Sequence, residues 1–481
     1  MDRDDGFLDL VRPENLLLAA FIAVLALAPF PYGSTRTWAE LGLGLGVGGI
    51  LFAWSGLALT GFATAALPIR RILFPATCVA LALGWAFMQS VDLQTVANLT
   101  GIDLTALAHP VWAMTSTALA REAGSYISID PESTRHAVFV SALSVGAFLV
   151  AFELARDRER ARALLGGIVV VAFAYAVAAL ASLHTHFDVQ ALFIPDPPAA
   201  SGRLSGSFLS SNHFATFMTV GAIAGMGLFV ETLRQSIVWD RGARATLRTG
   251  VRSLGGANAL WLIAIAVIIA ALLVAQSRSG VIAFLIGSLA LVIALAAGRS
   301  LTASEESGQR AMTAVLVAAL GIAAALSIDP LTGRVPEQGP SDTTRAAITD
   351  SSMKAIAAAP LVGNGFGAFE RYYPLFADGS VAGAVGEANN DLLETLADLG
   401  LPAGLAFIAA PIVLAGMCFA GCVRRRRDRL FPAIGFAVSV AVAVHALVEF
   451  SLQIPAVAVT YAALLGVGVA QSWRTNMDAV R

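Results

Sequence analysis

ANALWLIAIAVIIAALLVAQSRSGVIAFLIGSLALVIALAA, residues 257–297, is two apolar runs separated by one tight polar turn, and it decides the fold. The runs cover 257–275 and 280–297, and the only charged side chain in the whole stretch is Arg278, in the QSRSG turn. Crossing about 30 Å of hydrocarbon takes roughly 20 apolar residues as a helix. Neither run alternates apolar and polar residues as a barrel strand would. A backbone surrounded by lipid must pair within its own segment. Residues 257–297 therefore predict two membrane-spanning helices joined by a turn.

The same pattern recurs outward in both directions. Apolar runs cover 15–32, 38–60, 72–91, 136–155, 163–183, 213–232, 311–328, 399–421, 430–448 and 455–473. With the first two they predict an all-α polytopic membrane protein of about twelve transmembrane helices. The chain reads as a single membrane domain over residues 1–481, with no internal repeat and no separate soluble domain. Of its 481 residues 57% are hydrophobic and 13% charged, against about 25% charged in a globular chain. A net charge of −2 gives no basis for a nucleic-acid partner. Cys78, Cys418 and Cys422 all lie in or beside apolar runs, which argues against a disulfide framework. Residues 1–15 mix acids and bases with no small-residue cleavage site after them, so the first run is expected to be retained as a helix.

Orientation follows from arginine. With the N-terminus inside, 22 of the 31 basic residues fall on inner segments, including Arg70, Arg71, the Arg156–Arg162 cluster and Arg424–Arg427. Both termini are then cytoplasmic. Three outer loops are long: 92–135, 184–212, and 328–398 between helices nine and ten. Long loops tend to carry function. The last holds a helix-like stretch, 344–358, followed by GNGFGAF at 363–369.

Arginines on the outer side run against the charge bias. Arg36 lies in a short outer turn, Arg203 before helix six, Arg278 in the QSRSG turn and Arg345 at the start of the loop helix. A guanidinium can hold phosphate through two parallel bonds and stays charged. These four are candidates to bind a pyrophosphate, though any one of them could simply hold a lipid headgroup or a helix end. In SSNHF, Ser211 or Asn212 would cap helix six, and His213 could meet a ligand or a neighbouring helix. In GEANNDLLETLADLGLPAG, 386–404, the acids suit a helix N-terminus. Glu387, Asn389, Asn390 and Asp391 together suggest a site for sugar hydroxyls. In HALVEFSLQIP, His445 and Glu449 are four apart, which places them on one helix face. Ionisable groups at membrane depth are functional suspects. The six scattered histidines predict no metal site, and no cofactor is expected.

Taken in order, these motifs resemble the O-antigen ligase/polymerase family of bacterial inner membranes. The resemblance rests on PFPYGSTRTWAE (29–40), SIDPESTRHA (128–137), GRLSGSFLSSNHFA (202–215) and QSRSG (276–280). It continues through Arg345-x-x-Ile348, AAAPLVGNGFGAF (357–369), ANNDLLETLADLGLPAG (388–404) and HALVEFSLQIPA (445–456). It covers nearly the whole chain, with a ligase-like core over about 200–420.

The resemblance implies a GT-C-like, metal-independent glycosyltransferase in a Gram-negative inner membrane, active at the periplasmic face. It would move a glycan from undecaprenyl pyrophosphate to a saccharide or lipid A-core acceptor, beside other polysaccharide-assembly proteins. The product would be O-antigen or exopolysaccharide, with polymerase slightly favoured over ligase by the helix count and the 92–135 loop. Arg203 and Arg278 would hold the pyrophosphate, with Arg36 and Arg345 nearby. Asn212, His213, Asn390 and His445 would bind acceptor or glycan. The family's usual histidine before helix ten is Asn389 here, and asparagine takes no proton at neutral pH. Either Glu387, Asp391 or Glu449 acts instead, or the arginines alone stabilise the leaving group. The loop helix carries Thr349 where the family has tryptophan, and the following glycine is displaced to Gly404. Two other classes fit the layout: a twelve-helix transporter or lipid-glycan flippase, and a non-catalytic envelope-assembly protein.

Overall fold

The computed structural model describes residues 12–63, 69–185, 203–236, 257–297, 342–379, 381, 385, 387–425 and 428–473. The expected span 311–328 and the first part of the 328–398 loop lie outside these residues, as do 186–202.

Fifteen α-helices make up the described chain. The first seven are α1 (Pro13–Leu27), α2 (Thr37–Leu59), α3 (Leu73–Gln89), α4 (Leu93–Thr100), α5 (Pro110–Leu119), α6 (Pro131–Leu154) and α7 (Arg158–Thr185). Then come α8 (Ser211–Ser236), α9 (Ala257–Val274), α10 (Arg278–Ala296), α11 (Asp342–Ala358) and α12 (Phe369–Phe376). The last three are α13 (Asp391–Arg424), α14 (Leu430–Ala446) and α15 (Pro455–Ala470). Six of them, α2, α6, α7, α8, α10 and α13, are long and apolar enough to cross a membrane. Shorter apolar helices lie at α1, α9, α14 and α15. A polytopic membrane protein follows from these spans.

Local chemistry sets the helix ends. Proline occupies the first turn of α1, α5, α6 and α15, where its missing N–H is no loss. α1 stops at Leu27, short of the expected 32, because Pro29 and Pro31 cannot continue a helix. α3 and α4 are joined at an angle of 102°, so the chain leaves its span almost at a right angle. The expected span 399–421 is the longer part of α13. Gly400, at φ +76°, breaks that helix and sets off the turns 391–399.

α8 is the hub. Most of its span is buried, packed among α7, α9, α10 and α14. Small residues let the neighbours close in. A Cβ on Gly221 would lie 2.4 Å from Ala172 Cβ, and one on Gly287 2.5 Å from Ala441 Cβ. Without a hydrophobic drive between helices in lipid, such close van der Waals contact is what holds a bundle together.

One end of the bundle gathers arginine. Arg156 donates to the Ala470 carbonyl at 2.7 Å, Arg158 pairs with Glu231 at 2.7 Å and Asp428 at 2.9 Å, and Arg160 pairs with Glu14. At the other end a second, smaller core forms outside the bundle. Ile348, Ala355, Phe369, Tyr372, Ala388 and Ala397 pack there, joining α11 and α12 to the start of α13.

Candidate functional site

Glycine and asparagine fix that second core to the bundle. In GNGFG, Gly363 has φ +74°, and a Cβ on it would lie 2.1 Å from the Asp398 carbonyl oxygen. The Asn364 side chain donates to the Ala397 carbonyl at 2.9 Å. Asp398 is buried and accepts from the Gly367 amide at 2.6 Å and the Tyr372 hydroxyl at 2.7 Å. From the end of α3, Gln89 donates to the Val362 carbonyl at 2.7 Å and the Asp398 carbonyl at 2.9 Å. Its side-chain oxygen accepts from the Phe366 amide. A buried carboxylate needs such donors, and these make Asp398 the clasp between the GNGFG loop and α13.

Beside the clasp, the turn after α14 is held from two sides. Asn212, in the first turn of α8, donates its side-chain amide to Glu449. His213 meets Phe450 edge to face at 4.7 Å. Thr216 Oγ1 lies 2.9 Å from Ser451 Oγ and 2.5 Å from His445 Nδ1. The other ring nitrogen, His445 Nε2, lies 2.9 Å from Ser279 Oγ, one residue past Arg278. On the far side, Asp391 accepts from the Leu452 amide at 3.2 Å and from Gln453 Nε2 at 3.3 Å. Glu394 accepts from Gln453 Nε2 at 2.9 Å and the Ala388 amide at 2.8 Å. Glu449, Asp391, Glu394 and His445 are all buried.

The site therefore brings together Asn212, His445, Glu449 and Asp391 through residues 449–453. Glu387 joins them by a hydrogen bond to Glu394. Burial, and then the charges of Glu394, Asp398 and Asp391, push the Glu387 carboxyl well above its ordinary value. Four helices, α8, α10, α13 and α15, begin at this end of the bundle. Their positive termini favour negative charge here.

Three expectations change. Ser210, rather than Ser211 or Asn212, caps α8, accepting from the Asn212 amide at 3.2 Å. That leaves the Asn212 side chain for Glu449. His445 and Glu449 do not share a helix face: α14 ends at Ala446, and Glu449 sits buried beyond it. Asn390 caps α13, its side-chain oxygen accepting from the amides of Leu392 and Leu393 at 3.1 and 3.0 Å.

Asn389 adopts φ +53°, a left-handed conformation that asparagine tolerates better than most residues. That is a backbone reason for asparagine at this position. The His213 ring is buried and neither of its nitrogens has a hydrogen-bond partner.

The four arginines have different surroundings. Arg278 opens α10, half-buried and beside the Ser279–His445 contact. Arg203 is half-buried, just ahead of the buried Leu204 and Phe208. Arg36 is exposed, with its guanidinium 5.5 Å from the centre of the Tyr32 ring. Arg345 lies in the first turn of α11, and its buried Nε has no partner. Gln453, Gln89, Thr216, Ser279 and Ser451 were not singled out by sequence reasoning. Gln89 and Gln453 were detectable as lone amides flanked by apolar residues. Among the described residues no group of three or more His, Cys, Asp or Glu side chains could hold a metal ion.

Apolar spans and a buried polar cluster at one end define a membrane protein built around a polar site. Residues 263–408 match the family described as O-Antigen ligase, so that segment of the chain is similar to it. The match holds Arg278, Ser279, Arg345 and the acids from Glu387 to Asp398. Asn212, His445, Glu449 and Gln453 lie outside it in sequence and fold onto it. No curated protein matches the chain.

Proposed function

We propose that the protein is a glycosyltransferase that moves a glycan from undecaprenyl pyrophosphate to a saccharide acceptor at the periplasmic face, in O-antigen or exopolysaccharide synthesis. In this reading the chain crosses the inner membrane twelve times in a GT-C-like arrangement, with both termini in the cytoplasm. The observation that carries it is the buried bridge from Asn212 through Glu449 and from His445 to Ser279, set against Arg278 inside a matched O-antigen ligase segment. The arginine-rich opposite end supports the assigned face.

The chemistry is a displacement. The acceptor hydroxyl oxygen forms a bond to the anomeric carbon, the bond from that carbon to the pyrophosphate oxygen breaks, and the lipid pyrophosphate leaves. Arg278 and Arg203 hold the departing charge, which is where such a site gains most. The hydroxyl proton goes to a carboxylate. Burial and the neighbouring acids push the Glu387 carboxyl well above its ordinary value, which favours its protonated form over service as a base. Asp391 is already occupied by Leu452 and Gln453. Glu449, held by Asn212, is the group we assign to the proton. His213, Asn389 and Asn390 line the acceptor side, and Arg36 and Arg345 flank the pyrophosphate. No metal or cofactor enters this scheme.

Polymerase is favoured slightly over ligase by the outer arm at 92–135. Deleting the gene and resolving envelope and secreted polysaccharide on a gel tests both. A lost polymerase leaves lipid A-core capped by a single repeat. A lost ligase leaves bare core and a pool of lipid-linked polymer. An unchanged polysaccharide profile overturns the proposal.

A further inference from the structure

Between the end of α3 and the start of α6, the chain forms an arm with two unlike sides. One side is tied down. The Leu93 amide donates to the Ser125 carbonyl at 2.7 Å, and the His109 amide donates to the Tyr126 carbonyl at 2.8 Å. The Ser125 amide donates to Asp92 at 3.0 Å, and Trp112 Nε1 donates to the Ser128 carbonyl at 3.0 Å. The strip 125–129 is itself fastened to the outer loop, because the Ile129 amide donates to the Asn364 carbonyl at 3.0 Å.

The exposed residues of the arm include Gln94, Thr95, Asn98 and Thr117, but large apolar side chains stand among them. Leu99 is 81% exposed and Met114 70%, with Ile102, Leu107 and Leu119 exposed beside them. From Leu93 to Ala120 the arm carries one ionised side chain, Asp103. An apolar face of this kind, so poor in charge, is unusual on a surface that meets only water.

Continuity decides what covers it. α3 exposes Phe74, Leu81 and Phe87, as a lipid-facing span does. The chain then turns by 102° into α4. A helix that leaves a span at about a right angle runs in the membrane plane. Gln89, at that bend, bonds the Asp398 carbonyl, so the arm leaves on the side of the buried polar cluster. Helices that are apolar on one side and lie at this depth seat that side at the headgroup–acyl boundary.

We propose that the arm 93–119 is an interfacial membrane anchor. Leu99, Ile102, Leu107, Met114 and Leu119 dip into the leaflet on the side of the polar cluster, and the arm holds strip 125–129 and the GNGFG loop at the lipid surface. The occupant is phospholipid, not protein.

Two measurements on the full chain in lipid nanodiscs test it. The first uses the unsubstituted protein and a phospholipid carrying a photoreactive diazirine near its glycerol. Illumination should place adducts on peptides covering 93–119 as well as on α2, whose Phe52 is 83% exposed. Adducts on α2 with none on 93–119 would overturn the proposal.

The second uses nitroxide labels at Leu99→Cys, Leu107→Cys and Met114→Cys, with Cys78, Cys418 and Cys422 replaced by alanine. The ratio of oxygen collision to nickel-chelate collision should exceed that of an Asp350→Cys control on α11. A ratio equal to the control's means water covers the face. Loss of collision with both reagents means that protein covers it, a second copy or a partner. Either result overturns the proposal.

Discussion

Gln453 Nε2 lies 2.9 Å from Glu394 Oε1 and donates to it, while the same nitrogen reaches Asp391 Oδ1 at 3.3 Å. One amide thus serves two buried acids on successive turns of α13. Replacing it with leucine keeps the volume and removes both bonds. Leaving buried carboxyl groups short of a donor costs about 1–3 kcal/mol. Gln453→Leu should therefore lower the thermal unfolding midpoint, and Gln453→Glu, which adds a third carboxylate, should lower it further. Equal midpoints for Gln453→Leu and the parent would contradict this role.

The Asn212–Glu449 contact separates charge from size. Asn212→Asp is nearly isosteric but faces Glu449 with a second carboxylate. If Glu449 acts as an ionised group, Asn212→Asp should lose glycan transfer by about tenfold or more, since a change of about 1.4 kcal/mol already gives that factor. Asn212→Ala should lose less. Polymer length on a gel, after complementing a deletion strain, is the readout. Full activity from Asn212→Asp would remove Glu449 from the mechanism.

Glu387 makes stability depend on pH. Its carboxyl is held well above the ordinary 4.5 by burial and by Glu394. The folded chain therefore keeps a proton that the unfolded chain releases as pH rises past 4.5. Its contribution to stability is fully present below that pH, falls as pH rises towards the raised folded value, and stays low above it. Glu387→Gln removes this dependence. The midpoint of Glu387→Gln minus that of the parent should be smallest below pH 4.5 and grow on the alkaline side. A difference that does not change with pH would contradict the raised value.

Gly363 and Gly379 share a positive φ, 74° and 78°, but only Gly363 is crowded. Gly379→Ala should cost about 1–2 kcal/mol, the left-handed penalty alone. Gly363→Ala adds a collision with the Asp398 backbone and should cost more than about 3 kcal/mol. Limited proteolysis between α11 and α13 would show the difference as much faster cleavage in Gly363→Ala.

Arg278→Lys keeps the charge and loses the planar fork. A bidentate charge-assisted contact of about 1.5–3 kcal/mol would be lost, which corresponds to about ten- to hundredfold slower transfer. Undiminished transfer would count against a pyrophosphate clamp at this residue.

Apolar runs made the spans readable, because lipid imposes one rule on every crossing. Eleven of the expected runs carry helices among the described residues. Errors fell where a local residue overrode the run: Pro29 and Pro31 shortened α1, and α14 stopped before Glu449. The site was readable in part. Asn212, His445, Glu449 and Asp391 stood out as polar groups in apolar surroundings. Gln453, Thr216 and Ser279 did not, because their importance comes from partners far along the chain. Thr216 and His445 are 229 residues apart and meet only once α8 packs on α14. Nothing in the type of Asn390 announces its capping of α13, because an asparagine that caps and one that binds sugar look alike in sequence.

The hub helix α8 has a consequence for how the protein is made. It is the least apolar of the six long spans and the most enclosed, and it carries His213, Thr216, Thr219 and Thr232 inside the bundle. Alone in a bilayer those groups would face hydrocarbon. α8 therefore gains its place from protein neighbours rather than from lipid. Its packing partners are α7, earlier in the chain, and α9, α10 and α14, later in it, so the polar site is complete only once the last helices have packed.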